Sequence, residues 1–237
     1  SEENLSGYLH NGGLHGLVGP EMARRIHAVL PDARIVIFVR NQFDILRASY
    51  AQYVSGGGNW GQRRYFDSAA RARGALTRPW KAPMFEYAHF EFDRLVACYD
   101  GLFGRERVHV YPYEWLADRD AMIDRLEAEL GLAFGSRPPA GKRANPSMGV
   151  AAMALVRLVN LLTRQSVVNK TTLIDLPGGQ GIRHAAKAVA RRIPFANRRA
   201  AQLPADVRAR AAALYPDSNR RLMAPREVPL EALGYPL

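Results

Sequence analysis

One cysteine, Cys98, is all the thiol chemistry that this chain of 237 residues carries. No intramolecular disulfide and no multi-cysteine zinc site can form from it. The six histidines do not fall at metal-ligand spacing, and no metal is expected. Long apolar runs are also missing. The most apolar stretch, Gly149 to Leu162, is broken by Arg157 and is too short to cross a bilayer. No G-x-x-x-x-G-K-[ST] phosphate loop occurs anywhere. The nearest imitation, Pro177-Gly178-Gly179-Gln180-Gly181, lacks the lysine and hydroxyl at the required spacing. Acids are almost absent from one region. Residues 133–200 hold twelve Lys and Arg and a single acid, Asp175. That segment carries the whole net charge of +11, and the remainder is neutral. Such an excess suits polyanionic or phosphorylated partners and says nothing about fold.

What is present reads as an ordinary globular chain, 48% hydrophobic and 23% charged, of one or at most two domains. Pro20-Glu21 opens a helix over 20–30, with Met22, Ile26, Val29 and Leu30 at helical spacing. The run Ala33-Arg34-Ile35-Val36-Ile37-Phe38-Val39-Arg40 follows, a short β-branched strand expected to be buried on both faces. A helix comes next with Phe43, Leu46, Tyr50 and Tyr53 on one face, closed by the glycines of 56–58. A further helix over 90–103 puts Phe92, Leu95, Val96, Tyr99, Leu102 and Phe103 inward and ends at Gly104. Cys98 is expected in its core. A strand over 107–111 and a helix from Asp118 to Leu130 complete the pattern. Helices and strands in this order predict an α/β architecture with a parallel sheet. The segment 133–200 is expected to be mostly helical.

Three local features carry chemistry. Arg40 stands at the carboxyl end of the first strand, where open α/β sheets bind ligands. A guanidinium there can grip a phosphate, or it can pair with Asp44 four residues on. The stretch Val108-His109-Val110-Tyr111-Pro112-Tyr113-Glu114-Trp115-Leu116 ends a strand with an aromatic residue and an acid, able to stack a base or to pack at an edge. Gly141-Lys142-Arg143-Ala144-Asn145-Pro146-Ser147 is a basic, turn-prone loop suited to an anion or to solvent.

In order along the chain these features resemble the bacterial sulfotransferases that use 3′-phosphoadenosine 5′-phosphosulfate (PAPS). The matching stretches are Arg40-Asn41-Gln42, then Gln52-Tyr53-Val54-Ser55-Gly56-Gly57-Gly58, then Phe103-Gly104 through Leu116, then Tyr215-Pro216-Asp217-Ser218-Asn219 with Leu222, and Gly234-Tyr235-Pro236. The opening Ser1-Glu2-Glu3-Asn4-Leu5-Ser6-Gly7 resembles the segment after that family's first helix. The resemblance implies a P-loop-NTPase-like parallel sheet flanked by helices, with a helical C-terminal extension. It implies one sulfotransferase domain over 1–237 that lacks the family's N-terminal 5′-phosphosulfate loop, and a fragment inactive as it stands.

The same resemblance assigns roles. Arg40 binds the 3′-phosphate and Tyr113 flanks the adenine. Lys142 and Arg143 close over the phosphates. The family's phosphate-binding serine lies eight residues after the arginine. Position 48 is Ala48, and Ser49 stands one further, about 100° around the helix, so either Ser49 still reaches the phosphate or that contact is absent. The general base maps to Glu3, with Glu2 next and His10 or His15 in reserve. Tyr8, Trp60, Phe85, Tyr87 and His89 line an acceptor groove or pack in the core. The acceptor is a hydroxyl or amine on a glycan, lipid or small alcohol. The expected setting is the cytoplasm, with peripheral membrane contact open. The rival readings are a basic nucleic-acid- or membrane-surface module built on 133–200, and a nucleotide-binding relative without activity. No nucleic-acid partner is expected on the leading reading.

Overall fold

The computed structural model describes residues 18–70, 83–137, 148–163, 178–192 and 202–237. These residues form a mixed α/β structure, mostly helical. The helices are α1 (Val18–Val29), α2 (Gln42–Ser55), α3 (Gln62–Phe66), α4 (Phe92–Phe103), α5 (Arg119–Leu130), α6 (Val150–Asn160), α7 (Gly179–Arg192), α8 (Ala205–Leu214) and α9 (Pro216–Met223). The strands are β1 (Ile35–Val39) and β2 (Val108–Pro112). None of the described helices is long and apolar enough to cross a membrane. Contacts divide the chain into two units. The first takes the described parts of Ser1–Gly19, Phe43–Phe90 and Ser147–Ala211, the second those of Pro20–Gln42, Glu91–Pro146 and Ala212–Leu237.

The second unit holds the sheet. β1 and β2 pair in parallel, from Ile35 opposite Val108 to Val39 opposite Pro112. Helix α4 packs on both strands and on α9, burying Phe92, Val96, Tyr99 and Phe103. Leu95, Leu102 and Cys98 are half-buried, so the inward face is narrower than the sequence suggests and Cys98 lies at its margin. Helix α5 begins where the Asp118 carboxylate accepts the Ala121 N–H at 3.1 Å, and ends at Gly131 with φ +61. Both ends follow ordinary capping chemistry. Charge pairs tie the C-terminal region to α4. Asp93 accepts from Ser218 Oγ at 2.5 Å and Arg221 Nε at 2.6 Å, and Asp100 accepts from Arg226 at 2.5 Å.

The sheet corrects one expectation. β1 is not buried on both faces, because Val36 and Phe38 are each 38% exposed while Val39 is fully buried. Side chains alternate along a strand. With two strands among the described residues, alternate positions of β1 face no second layer. A hydrophobic run reports a strand, but not how many of its faces are covered.

The first unit is organised by aromatic rings. Tyr50, Tyr53, Tyr65, Phe66, Phe85 and Tyr87 form a connected cluster, tightest at Tyr53–Tyr65, 4.7 Å between centroids. Burial, more than any neighbouring charge, pushes the Tyr65 phenol well above its usual range. The loop after α2 lies across one of these rings. A Cβ on Gly58 would sit 2.3 Å from the Tyr53 ring, so the close approach admits only glycine there. Asn160 at the end of α6 ties the loop down, its Nδ2 donating to the carbonyls of Val54 and Gly58 at 2.8 Å each. Trp60 N–H donates to the Tyr53 hydroxyl at 3.1 Å. Helices α6 and α7 pack together in this unit.

Gly58→Ala forces the Tyr53 ring out of its place. Overpacking of this kind costs about 1–3 kcal/mol. Chemical denaturation should show that loss, and an unchanged midpoint would contradict the packing. His89 generates a second expectation. Burial lowers its pKa from 6.5 to about 4. The unfolded chain then binds the proton more readily than the folded one. Stability is full above pH 6.5 and falls as pH drops from 6.5 towards 4, by up to about 3 kcal/mol at 1.36 kcal/mol per unit. His89→Phe should flatten that limb of a melting-temperature profile, and a limb that keeps its slope rules out His89 as its source.

Candidate functional site

The carboxyl ends of β1 and β2 lie side by side, and the residues leaving them define the site. Arg40-Asn41-Gln42 follows β1 and Tyr113-Glu114 follows β2. The Asn41 backbone N–H donates to Glu114 Oε1 at 2.9 Å. The Tyr235 hydroxyl donates to Glu114 Oε2 at 2.7 Å and lies 3.1 Å from the Val39 carbonyl. Asn41 Nδ2 donates to the carbonyls of Leu233 and Gly234 at 3.2 and 2.7 Å. Gly234 makes the turn with φ +71. Gln42 and Asn219, both fully buried, exchange side-chain hydrogen bonds at 2.7 and 3.1 Å. Asn219 Nδ2 also donates to the Pro236 carbonyl at 2.8 Å. Four stretches that are far apart in sequence therefore close on one strand end, with buried polar groups satisfied among themselves.

Arg40 stands within this clasp but is not consumed by it. Its guanidinium carbon lies 4.9 Å from the centroid of the Tyr113 ring. No carboxylate among the described residues pairs with it. Asp44, the partner open to it from spacing, pairs with Arg47 at 2.6 Å instead. Arg40 is half-buried, and Tyr113 is 46% exposed. The ring and the cation are thus held side by side at the edge of the sheet, an arrangement that can take a planar base and a phosphate.

Ser49 belongs to the first unit and is fully buried. Its hydroxyl donates to the Leu46 carbonyl at 2.8 Å, and it is hydrogen-bonded with Tyr65. Phe85 and Tyr87 sit in the aromatic core, and Trp60 carries the Arg64 guanidinium 4.0 Å above its ring. Glu2, Glu3, Tyr8, His10, His15, Lys142 and Arg143 lie outside the described residues. Among the described residues no three His, Cys, Asp or Glu side chains gather as metal ligands. Glu114 and Tyr235 are the clasp's central pair, and their pairing is invisible in sequence because 121 positions separate them.

No family model matches this chain, and no curated protein matches it. Among solved structures it is similar to a crystal structure of a sulfotransferase from Alicyclobacillus acidocaldarius, at 22% identity with a TM-score of 0.42. The match covers 81% of this chain and 65% of that one, so this chain spans less than two thirds of its neighbour's length.

Removing the Tyr235 hydroxyl tests the clasp. Tyr235→Phe leaves the Glu114 carboxylate one donor short in a part-buried place. A hydrogen bond to a charged group is worth about 1.5–3 kcal/mol. Denaturant unfolding should show that loss, whereas a neutral substitution would mean that the clasp does not hold the strand ends.

Proposed function

We propose that this chain is sulfotransferase-like and binds the nucleotide of PAPS, in a protein whose reaction moves the sulfuryl group of PAPS to an acceptor hydroxyl or amine of a glycan, lipid or small alcohol. The observation that carries this reading is Arg40. It is a half-buried cation at the carboxyl end of a parallel strand, without a carboxylate partner among the described residues and beside the accessible ring of Tyr113. An arginine beside an aromatic ring fits a purine nucleotide bearing a phosphate, and the ordered resemblance of the surrounding motifs selects adenosine 3′,5′-bisphosphate chemistry. The P-loop-NTPase-like sheet is part of the same proposal.

In this reading Arg40 holds the 3′-phosphate and Tyr113 flanks the adenine. Lys142 and Arg143 add charge over the phosphates. Ser49, the hydroxyl nearest to the family's serine in sequence, would have to leave its bond to Leu46 to reach a phosphate. In transfer the bond from sulfur to the bisphosphate oxygen breaks and a bond from sulfur to the acceptor oxygen or nitrogen forms. The acceptor's proton passes to a carboxylate, Glu3 first and Glu2 next, with His10 and His15 as the imidazole alternatives. Adenosine 3′,5′-bisphosphate leaves. As in phosphoryl transfer, the protein mainly positions groups and balances charge.

A basic surface module remains the rival, favoured by one observation. Helices α6 and α7 contain no acid, and Leu158 and Val189 on them are 61% and 55% exposed. Calorimetry with adenosine 3′,5′-bisphosphate separates the two. Arg40→Ala should weaken bisphosphate binding by about 1.5–3 kcal/mol, the range for a charge-assisted contact, with the ligand-free melting temperature held. Equal affinity in the parent and the variant would overturn the assignment. Salt-sensitive binding to random duplex without preference for the bisphosphate would favour the surface module.

A further inference from the structure

The first unit holds an open cleft of about 580 Å³ that the nucleotide reading does not use. Its floor is helix α6, where Val150 is 51% exposed and Ala154 is also exposed. Met153 closes the floor from beneath, 5% exposed. The rim is cationic. Arg157 reaches across from α6, its Nε donating to the Asn59 carbonyl at 3.2 Å. It also hydrogen-bonds with the Tyr50 phenol, and no carboxylate among the described residues pairs with it. Arg64 lies over the Trp60 ring, and Arg63 meets Asp206 at 3.5 Å through side chains 78% and 59% exposed. An exposed pair of that length is weak and readily exchanged. Among the described residues, the three guanidiniums of this rim thus have one ion pair, the weak one between Arg63 and Asp206.

The two halves of this lining ask for different things. A half-buried guanidinium that has given up water gains from a bidentate anion. Apolar side chains at the bottom of a cleft gain from an apolar body that covers them. Tyr50 adds no competing charge. Burial, its main cause, raises its pKa to about 12, so at neutral pH it is a neutral hydroxyl at the back of the cleft.

We propose that this cleft is a binding site for an amphiphilic organic anion, with its phosphate, sulfate or carboxylate head on Arg157, Arg63 and Arg64 and a short apolar body on Val150, Met153 and Ala154. A free phosphate ion lacks the body and a neutral alcohol lacks the head. Neither satisfies both halves of the lining. The site stands whether or not the chain uses PAPS.

Titration of the 237-residue chain with octyl phosphate, inorganic phosphate and 1-octanol tests this in calorimetry. Octyl phosphate should bind at one site, at least tenfold tighter than either control. Arg157→Gln should weaken it about tenfold to a hundredfold, as loss of a charge-assisted contact does. Because Arg157 also holds the Asn59 carbonyl, a second variant guards against a folding defect. Ala154→Trp fills the floor from an exposed position, and should weaken octyl phosphate at least tenfold at an unchanged melting temperature. Saturating adenosine 3′,5′-bisphosphate should leave octyl phosphate affinity as it was. The proposal falls if octyl phosphate shows no saturable binding, if octanol binds as well, or if both variants bind like the parent. Displacement by the bisphosphate also overturns it, since the cleft would then be a nucleotide subsite.

Discussion

The Glu114 carboxylate is the group on which the sheet's carboxyl edge depends. A parallel strand that ends in the interior leaves backbone groups without ladder partners, and buried ones must be satisfied elsewhere. Glu114 accepts the Asn41 N–H with one oxygen and the Tyr235 hydroxyl with the other. That single side chain links β1, β2 and the C-terminal tail. Asn41 then returns two donors to the tail, and Asn219 bridges Gln42 to Pro236. The tail is therefore part of the sheet's end and not an appendage.

This arrangement explains why Arg40 stands out. Its two successors have their side chains committed inward, Asn41 to the tail and Gln42 to Asn219. Arg40 is left at the margin against Tyr113. A cation placed by a strand end and steadied by a ring keeps less side-chain freedom than one on an open surface.

The first unit works by a different constraint. Its aromatic cluster requires a loop to pass directly over Tyr53, and that requirement selects glycine at position 58. Asn160 secures the loop, and Arg157, one turn earlier on α6, turns towards Asn59 and the cleft. The same helix thus anchors the loop with an amide and lines the cleft with a guanidinium. An arginine that interrupts an otherwise apolar helix was the sequence signal for that cleft, and it reads equally well as a simple break in hydrophobicity.

Much of the local structure was legible in the sequence. Hydrophobic spacing located α1, α2, α4 and α5 and both strands to within a few residues, since the periods of 3.6 and 2 follow from backbone geometry. Asp118 and Gly131 marked the ends of α5 because capping is local chemistry. The place of Arg40 at the end of β1 was legible because strand ends are visible in sequence. What the sequence could not decide was pairing at a distance. Periodicity does not say whether a strand has one covered face or two, and β1 has Val36 and Phe38 in the open. Spacing offered Asp44 to Arg40, while packing gave Asp44 to Arg47 and Tyr113 to Arg40. Spacing set Ser49 one position past the place where the resemblance expects a serine, and only packing showed its hydroxyl buried against the Leu46 carbonyl. Hydrogen bonds and ring contacts act over a few ångströms. Which residues come that close is settled only when the chain has folded, and that is why the tertiary structure alone joined Glu114 to Tyr235.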